Sequence, residues 1–178
     1  AIKKASLQDS ESYIETTYEG YGPRGIAFFI ECTTDNINRT VANIRAVFNK
    51  YNGELGKNGS LEFLFNRIGI FELDQNIGDF SEEEIEMELI DGGLEEFEII
   101  DGSYFLSTNF ENFGLMQKKL DELKLTPKNA RLERIPVNTK KISRENANTI
   151  LNMIETFEDD DDVQEVFHSL EITEDSTR

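Results

Sequence analysis

Residues 25–33 read GIAFFIECT, and this run constrains the chain more than any other feature. A run this short and this apolar, bounded by turn signals, predicts a buried β-strand. The turn signal before it is YGPRG, in which Pro23 fixes one φ and the glycines relax the others. Residues 12–20 (SYIETTYEG) alternate weakly and predict a second strand. The two strands and the turn make a hairpin.

A helix is predicted at 36–51. Asp35 or Thr34 is placed to cap it, and Ile37, Val41, Ile44, Phe48 and Tyr51 follow at spacings of 4, 3, 4 and 3. That stripe reads as core packing. A loop, NGELGKNG, leads to a strand predicted at 60–67. The next block offers a strand at 69–74, a helix at 82–91, strands at 95–100 and 103–108, a helix at 111–124 and a strand at 131–137. Asp101-Gly102 suits a hairpin turn. The order is βαββαβ, the ferredoxin-like pattern. A helix at 143–158 and a strand at 163–170 close the chain.

The first block alone is ββαβ and lacks a second helix for its sheet. The last helix and strand supply it. The expected class is therefore α+β, with two α/β two-layer sandwich domains. One is discontinuous, 1–68 plus 138–178, and a ferredoxin-like domain at 69–137 is inserted in it. The rival arrangement is a single α/β domain with one long mixed sheet.

The formal charge of the 178 residues is -18, so the surface as a whole should repel phosphates and anionic membranes. The charges are not mixed evenly. Between Arg67 and Lys118 stand fourteen Asp or Glu residues and no Lys or Arg. Glu82, Glu83 and Glu84 begin a predicted helix, where carboxylates suit the dipole. The strip reads as a solvated face or as a docking face for a basic protein. A second acidic run, Glu158 to Asp162, lacks the spacing of a calcium loop. The opposite bias lies at 118–144, which includes Lys118, Lys119, Lys124, Lys128, Arg131, Arg134, Lys140, Lys141 and Arg144. These residues form either a basic patch for RNA or partners for the acidic strip.

Little chemistry is visible. Cys32 is the single cysteine and His168 the single histidine, too few for a zinc site or a disulfide. A catalytic triad would need His168 as its base, and no motif surrounds it. No G-x-S-x-G, P-loop, dinucleotide fingerprint, H-E-x-x-H or C-x-x-C occurs. The expectation is no enzyme, no metal and no cofactor. The opening AIKKASLQDSESYIE has no apolar signal region, and no stretch reaches membrane-spanning length. A cytoplasmic location with no membrane partner is expected.

Several ordered motifs resemble one family. They are YEGYGPRG at 18–25, TDNINRT at 34–40, GELGKNGS at 53–60 and the tail DDDDVQEVFHSLEI at 159–172. In this order they resemble YebC/PmpR-like proteins, and the opening AIKKAS is similar to the end of the helical region that precedes them. Arg24 stands where the family has glycine, and Leu61, Phe63 and Phe65 replace more usual strand residues. The resemblance covers essentially the whole chain. It implies a gene-expression factor related to probable transcriptional regulators and to mitochondrial translational activators, with a ribosome-associated role in translation favoured over DNA binding. It also implies that the family's basic helical N-terminal domain is missing here. That domain would make the main contact to ribosome, RNA or DNA in the full-length protein. The acidic surface would dock a basic protein or that domain.

The resemblance points to Tyr18, Glu19, Tyr21, Pro23, Asn36, Asn38 and Arg39 as candidate macromolecule contacts. Lys128, Arg131, Arg134, Lys140 and Lys141 join them on charge. The competing reading is architectural: a helix cap at Asp35, and a hairpin braced by Asn38 and Arg39. Two other function classes stay open. A small-ligand-binding or regulatory domain would need an enclosed pocket with convergent polar groups. An enzyme would need perturbed titratable groups in a cleft.

Overall fold

The computed structural model describes residues 12–76 and 78–172. The AIKKAS opening and the last residues of the tail lie outside these. The fold is α+β, with two four-stranded sheets and four α-helices among the described residues. The chain divides into two compact units. One comprises residues up to Asn66 and those from Ile135 onward, and the other comprises Arg67–Arg134.

The first unit is built on the predicted hairpin. Strands β1 (Ile14–Tyr21) and β2 (Ala27–Thr34) pair antiparallel in register, Ile14 opposite Thr34 and Tyr21 opposite Ala27. A 3₁₀ turn at Pro23–Gly25 joins them, with Arg24 at φ 63. Helix α1 (Ile37–Lys50) follows, then a two-residue strand β3 (Glu54–Leu55) that the loop reading did not anticipate. Helix α4 (Arg144–Glu158) and strand β8 (Val163–His168) return from the far end of the sequence, giving the sheet order β3-β1-β2-β8.

One sheet face packs on the helices. Phe28, Phe48 and Phe157 meet there with centroids 5.2 to 6.1 Å apart, surrounded by Ile30, Ile44, Ile150 and Met153. The other face carries a smaller cluster of Ala27, Phe29, Leu61 and Phe65.

The predicted strand at 60–67 is corrected. Leu61 and Phe65 are buried while Phe63 is 74% exposed. Strict alternation would bury all three. Residues Glu62–Leu64 instead form a 3₁₀ turn, so positions 61 and 65 share a side and 63 points outward. Pairing then begins at Phe65 and runs through to Asp74 as a single strand, β4. Gly69 does not interrupt it; the residue sits in the ladder opposite Thr108.

The second unit runs β4, α2 (Glu82–Ile90), β5 (Leu94–Ile100), β6 (Ser103–Asn109), α3 (Phe113–Glu122) and β7 (Asn129–Pro136). Its sheet order is β5-β6-β4-β7. Helix α2 starts on a capping box in which Ser81 and Glu84 bond reciprocally. The core joins Phe71, Leu73, Tyr104 and Leu106 of the sheet to Ile85, Leu89, Met116 and Leu120 of the helices. Among the described residues no helix is long and apolar enough to cross a membrane.

Candidate functional site

The YEGYGP segment divides its residues between interior and surface. Glu19 is only 2% exposed. Its carboxylate accepts the backbone N–H groups of Gly59 and Leu61, each at 2.6 Å, while its carbonyl accepts from Gly56 N at 2.7 Å. A buried carboxylate is tolerated only when donors surround it. Glu19 thus ties the GELGKNGS loop to β1. Tyr18 is buried on the helix-covered face, where burial pushes its hydroxyl pKa up. Both side chains serve the interior.

The glycines serve close approach. A Cβ on Gly20 would run into the Glu54 carbonyl and the Phe48 ring, and one on Gly53 would run into the Tyr21 carbonyl. These contacts bring the Gly53–Leu55 segment against the end of β1.

The hairpin tip is what this packing presents. Tyr21 and Arg24 are exposed, and Pro23 is partly so. Gly22 N donates to Ile26 O at 2.8 Å and closes the tip. The Lys140 ammonium donates to the Arg24 carbonyl, which anchors the 138–142 segment to the tip. Lys140 and Lys141 are both exposed. Sequence separation hid this meeting, since the two residues are 116 positions apart. Arg24, the departure from the family motif, thus has Lys140 at its backbone. Two cations, Arg24 and Lys140, meet at one end of this acidic unit, and Lys141 follows Lys140 in the chain.

Asn36, Asn38 and Arg39 lie at the opposite end of the hairpin, where β2 meets α1. Asn36 is the N-cap, and its side chain accepts Arg39 N at 3.1 Å. Asp35 is therefore not the cap; it pairs with the Arg39 guanidinium at 2.9 Å. Thr34 Oγ1 accepts Asn36 N at 2.9 Å. Arg39 also reaches the acidic run, donating from Nη2 to Asp162 Oδ1 at 2.8 Å and from Nε to Oδ2 at 3.2 Å. Asp162, foremost, and Asp35 hold the guanidinium pKa above its ordinary value. Thr40 Oγ1 donates to Asp162 Oδ2 at 2.9 Å, deep in the same corner. The TDNINRT motif and the DDDDVQ tail thus form one latch across the chain. Asp162 and Thr40 are partners in this latch that residue-by-residue reading missed, because neither motif carries a sign that it meets the other. Asn38 remains exposed on the first turn.

Beside this latch lies a groove of about 1310 Å³ lined by Tyr13, Ile14, Glu15, Asn43, Asp159 and Gln164, among others. It is partly open to solvent.

The second-unit cations are engaged within that unit. The Lys128 ammonium lies 3.2 Å from both Glu72 and Asp74 and donates to Ser103 Oγ at 2.6 Å. Asp74 and Glu72 hold its pKa above the ordinary value. Arg131 pairs with Glu133 and donates to Asn129 Oδ1 at 2.7 Å. Lys119 pairs with Glu88 at 3.5 Å. Arg134 is partly buried in β7. The cations of 118–144 divide between the units, Lys118 to Arg134 in the second and Lys140, Lys141 and Arg144 in the first.

The reactive side chains are quiet. Cys32 is buried in the core, where burial and then Asp160 and Asp162 push its pKa up to about 12. Burial lowers the pKa of His168, whose Nδ1 accepts Leu170 N at 3.2 Å. Among the described residues no group of three or more His, Cys, Asp or Glu side chains is placed to hold a metal ion.

The comparisons with known proteins bear on the whole of this architecture. A family model described as the TACO1/YebC second and third domain matches residues 13–170. A probable transcriptional regulatory protein of Cytophaga hutchinsonii is 48% identical over 174 residues, covering 98% of this chain and 72% of its own length. One of Geobacillus thermodenitrificans is 41% identical over 172 residues, covering 96% of this chain and 70% of its own. The crystal structure of the conserved hypothetical protein Aq1575 from Aquifex aeolicus superposes with a TM-score of 0.75 at 33% identity, covering 92% of this chain and 67% of that one. With a matched model over nearly its full length and relatives above 40% identity, the chain belongs to the TACO1/YebC family.

Proposed function

We propose that this chain is a non-enzymatic gene-expression factor that engages a nucleoprotein, the ribosome first, through the basic end of its first unit. The observation that carries this reading is the hairpin tip. Tyr21 and Arg24 stand exposed and Pro23 half-buried at the tip that Lys140 anchors, with Lys141 next in the chain, on a chain of formal charge -18. Cations beside an exposed aromatic suit phosphate and base contacts on RNA. The buried motif residues make the tip rigid, so binding pays little ordering entropy. Asn36 and Asn38 give a second, weaker contact at the far end of the hairpin.

The units fit this role as positioning modules. Residues 12–66 with 135–172 form a discontinuous domain, and 67–134 is inserted as a ferredoxin-like βαββαβ domain. The chain works in the cytoplasm and needs no cofactor. Further contact to RNA or DNA comes from a basic helical segment where a longer chain carries one.

The names of the relatives favour a second reading, transcriptional control through duplex DNA. Co-sedimentation with ribosomes at two salt concentrations, with duplex DNA as competitor, separates the two. Ribosome binding that weakens with salt and survives the competitor supports translation. Loss to the competitor supports DNA.

A further inference from the structure

We propose that the outer edge of β5 in the second unit is a docking site for an extended basic segment of a protein partner, joined by strand addition. This surface is separate from the hairpin tip, and the inference does not depend on the function proposed above.

Strand β5 is the terminal strand of its sheet, paired only with β6. One row of its backbone donors and acceptors is therefore open to a further strand. The edge is seven residues long with a register shift between Leu94 and Glu96, and its regular stretch, 96–100, is enough for several ladder bonds. It also carries apolar surface, since Ile99 and Ile100 are 38% and 47% exposed. Helix α2, which connects to it through Gly92 and Gly93, adds Ile90, 61% exposed. Ile90 is turned about 120° from the buried Ile85–Leu89 line, and Glu88, on the other flank, reaches α3 through Lys119. Ile90 therefore lies on the flank of α2 away from α3.

Register sorts the side chains of the edge. Phe97 and Ile99 stand opposite Leu106 and Tyr104, which belong to the helix-covered core. Glu96 and Glu98 stand opposite Ser107 and Phe105 and so project from the other face. An incoming strand must obey the same alternation. It would set Lys or Arg against Glu96 and Glu98, and aliphatic residues against Phe97 and Ile99.

Charge chooses among occupants. Fourteen acidic residues and no Lys or Arg occupy positions 68–117. The acids of α2 have a local reason, as they begin a helix. Glu96 and Glu98 begin no helix; on an exposed edge their like charge guards against pairing with a second copy and leaves the edge selective for cations. A second copy of β5 would bring two such rows together and be repelled. Nucleic acid would be repelled by the same field. A basic, alternating peptide is the occupant that the edge attracts.

The test is an amide-resolved NMR titration of the full chain with a synthetic peptide alternating lysine and valine. Controls are a glutamate–valine peptide of equal length and the lysine peptide N-methylated at alternate amides. The lysine peptide should shift and protect the β5 amides, whereas both controls should leave them unchanged. Glu96→Lys with Glu98→Lys should weaken the lysine peptide by about tenfold or more and admit the glutamate peptide. Glu96→Gln with Glu98→Gln gives a milder form of the same loss should the reversal disturb folding. Unmoved β5 amides would overturn the proposal. So would undiminished binding of the N-methylated peptide, or equal affinity in both charge variants.

Discussion

The carboxylate of Glu19 stands 2.6 Å from the backbone nitrogen of Leu61, 42 positions further along the chain. With a second bond to Gly59 N, it fixes the loop that covers one face of the first sheet. Glu19→Gln keeps the shape but can offer only one acceptor oxygen. Its amide group would confront an N–H it cannot bond. We expect a loss of about 2 kcal/mol, read by urea denaturation. An unchanged midpoint would mean the loop holds itself.

The glycines beside Glu19 make a second prediction. Gly20→Ala places a methyl group against the Glu54 carbonyl and the Phe48 ring. Neither can move far, since one is backbone and the other is core. The expected cost is about 1–3 kcal/mol by thermal or chemical unfolding. Gly114→Ala, where an added Cβ meets nothing within 4 Å, serves as the control and should be tolerated.

Asp162 anchors the latch between the tail and α1. Asp162→Ala removes one partner of the Thr40 hydroxyl, which keeps Thr34 Oγ1, and both bonds that Arg39 makes to the tail. Loss of the buried acceptor should cost about 1–3 kcal/mol. The effect of Arg39→Ala should shrink in the Asp162→Ala background, which a double-mutant cycle measures. Full additivity would mean the two do not interact.

His168 gives a pH dependence. Burial lowers its pKa in the folded chain, and its Nδ1 must stay unprotonated to accept Leu170 N. The unfolded chain therefore binds the proton more readily than the folded one. Stability rises with pH in that range, and it falls as the pH drops below the ordinary imidazole value of about 6.5. His168→Gln should flatten this part of the melting-temperature profile. An equal slope in wild type and variant would assign the dependence to other groups.

Cys32 should resist alkylation in the native chain near pH 8, because its thiol pKa is pushed up to about 12. Denaturant should expose it to rapid labelling. Fast native labelling would mean that β2 opens readily.

The regular elements were legible in the sequence because their signals are local. GIAFFIECT and the 4-3-4-3 stripe of α1 each decide their structure within a few residues. The 60–67 segment was not legible. Its alternation of Leu61, Phe63 and Phe65 is a strand signal, and a buried carboxylate from β1 overrides it. The site was half legible. The motifs named residues that the fold sets at the two ends of one hairpin, yet burial of Tyr18 and Glu19 and the exposure of Arg24 depend on packing. The meeting of Lys140 with the hairpin tip, and of Asp162 with Arg39, joins segments more than a hundred positions apart. No local pattern encodes such a distance.

The most direct test of the proposed function is ribosome co-sedimentation of two charge-reversed variants. One carries Arg24→Glu, Lys140→Glu and Lys141→Glu at the hairpin tip. The other carries Arg45→Glu, Lys118→Glu and Lys124→Glu, three exposed cations outside the tip, and so changes the net charge equally. The account predicts that the tip variant stays in the supernatant at a salt concentration where wild type and control pellet with ribosomes. A tip variant that pellets like wild type, or a control that fails equally, would contradict it.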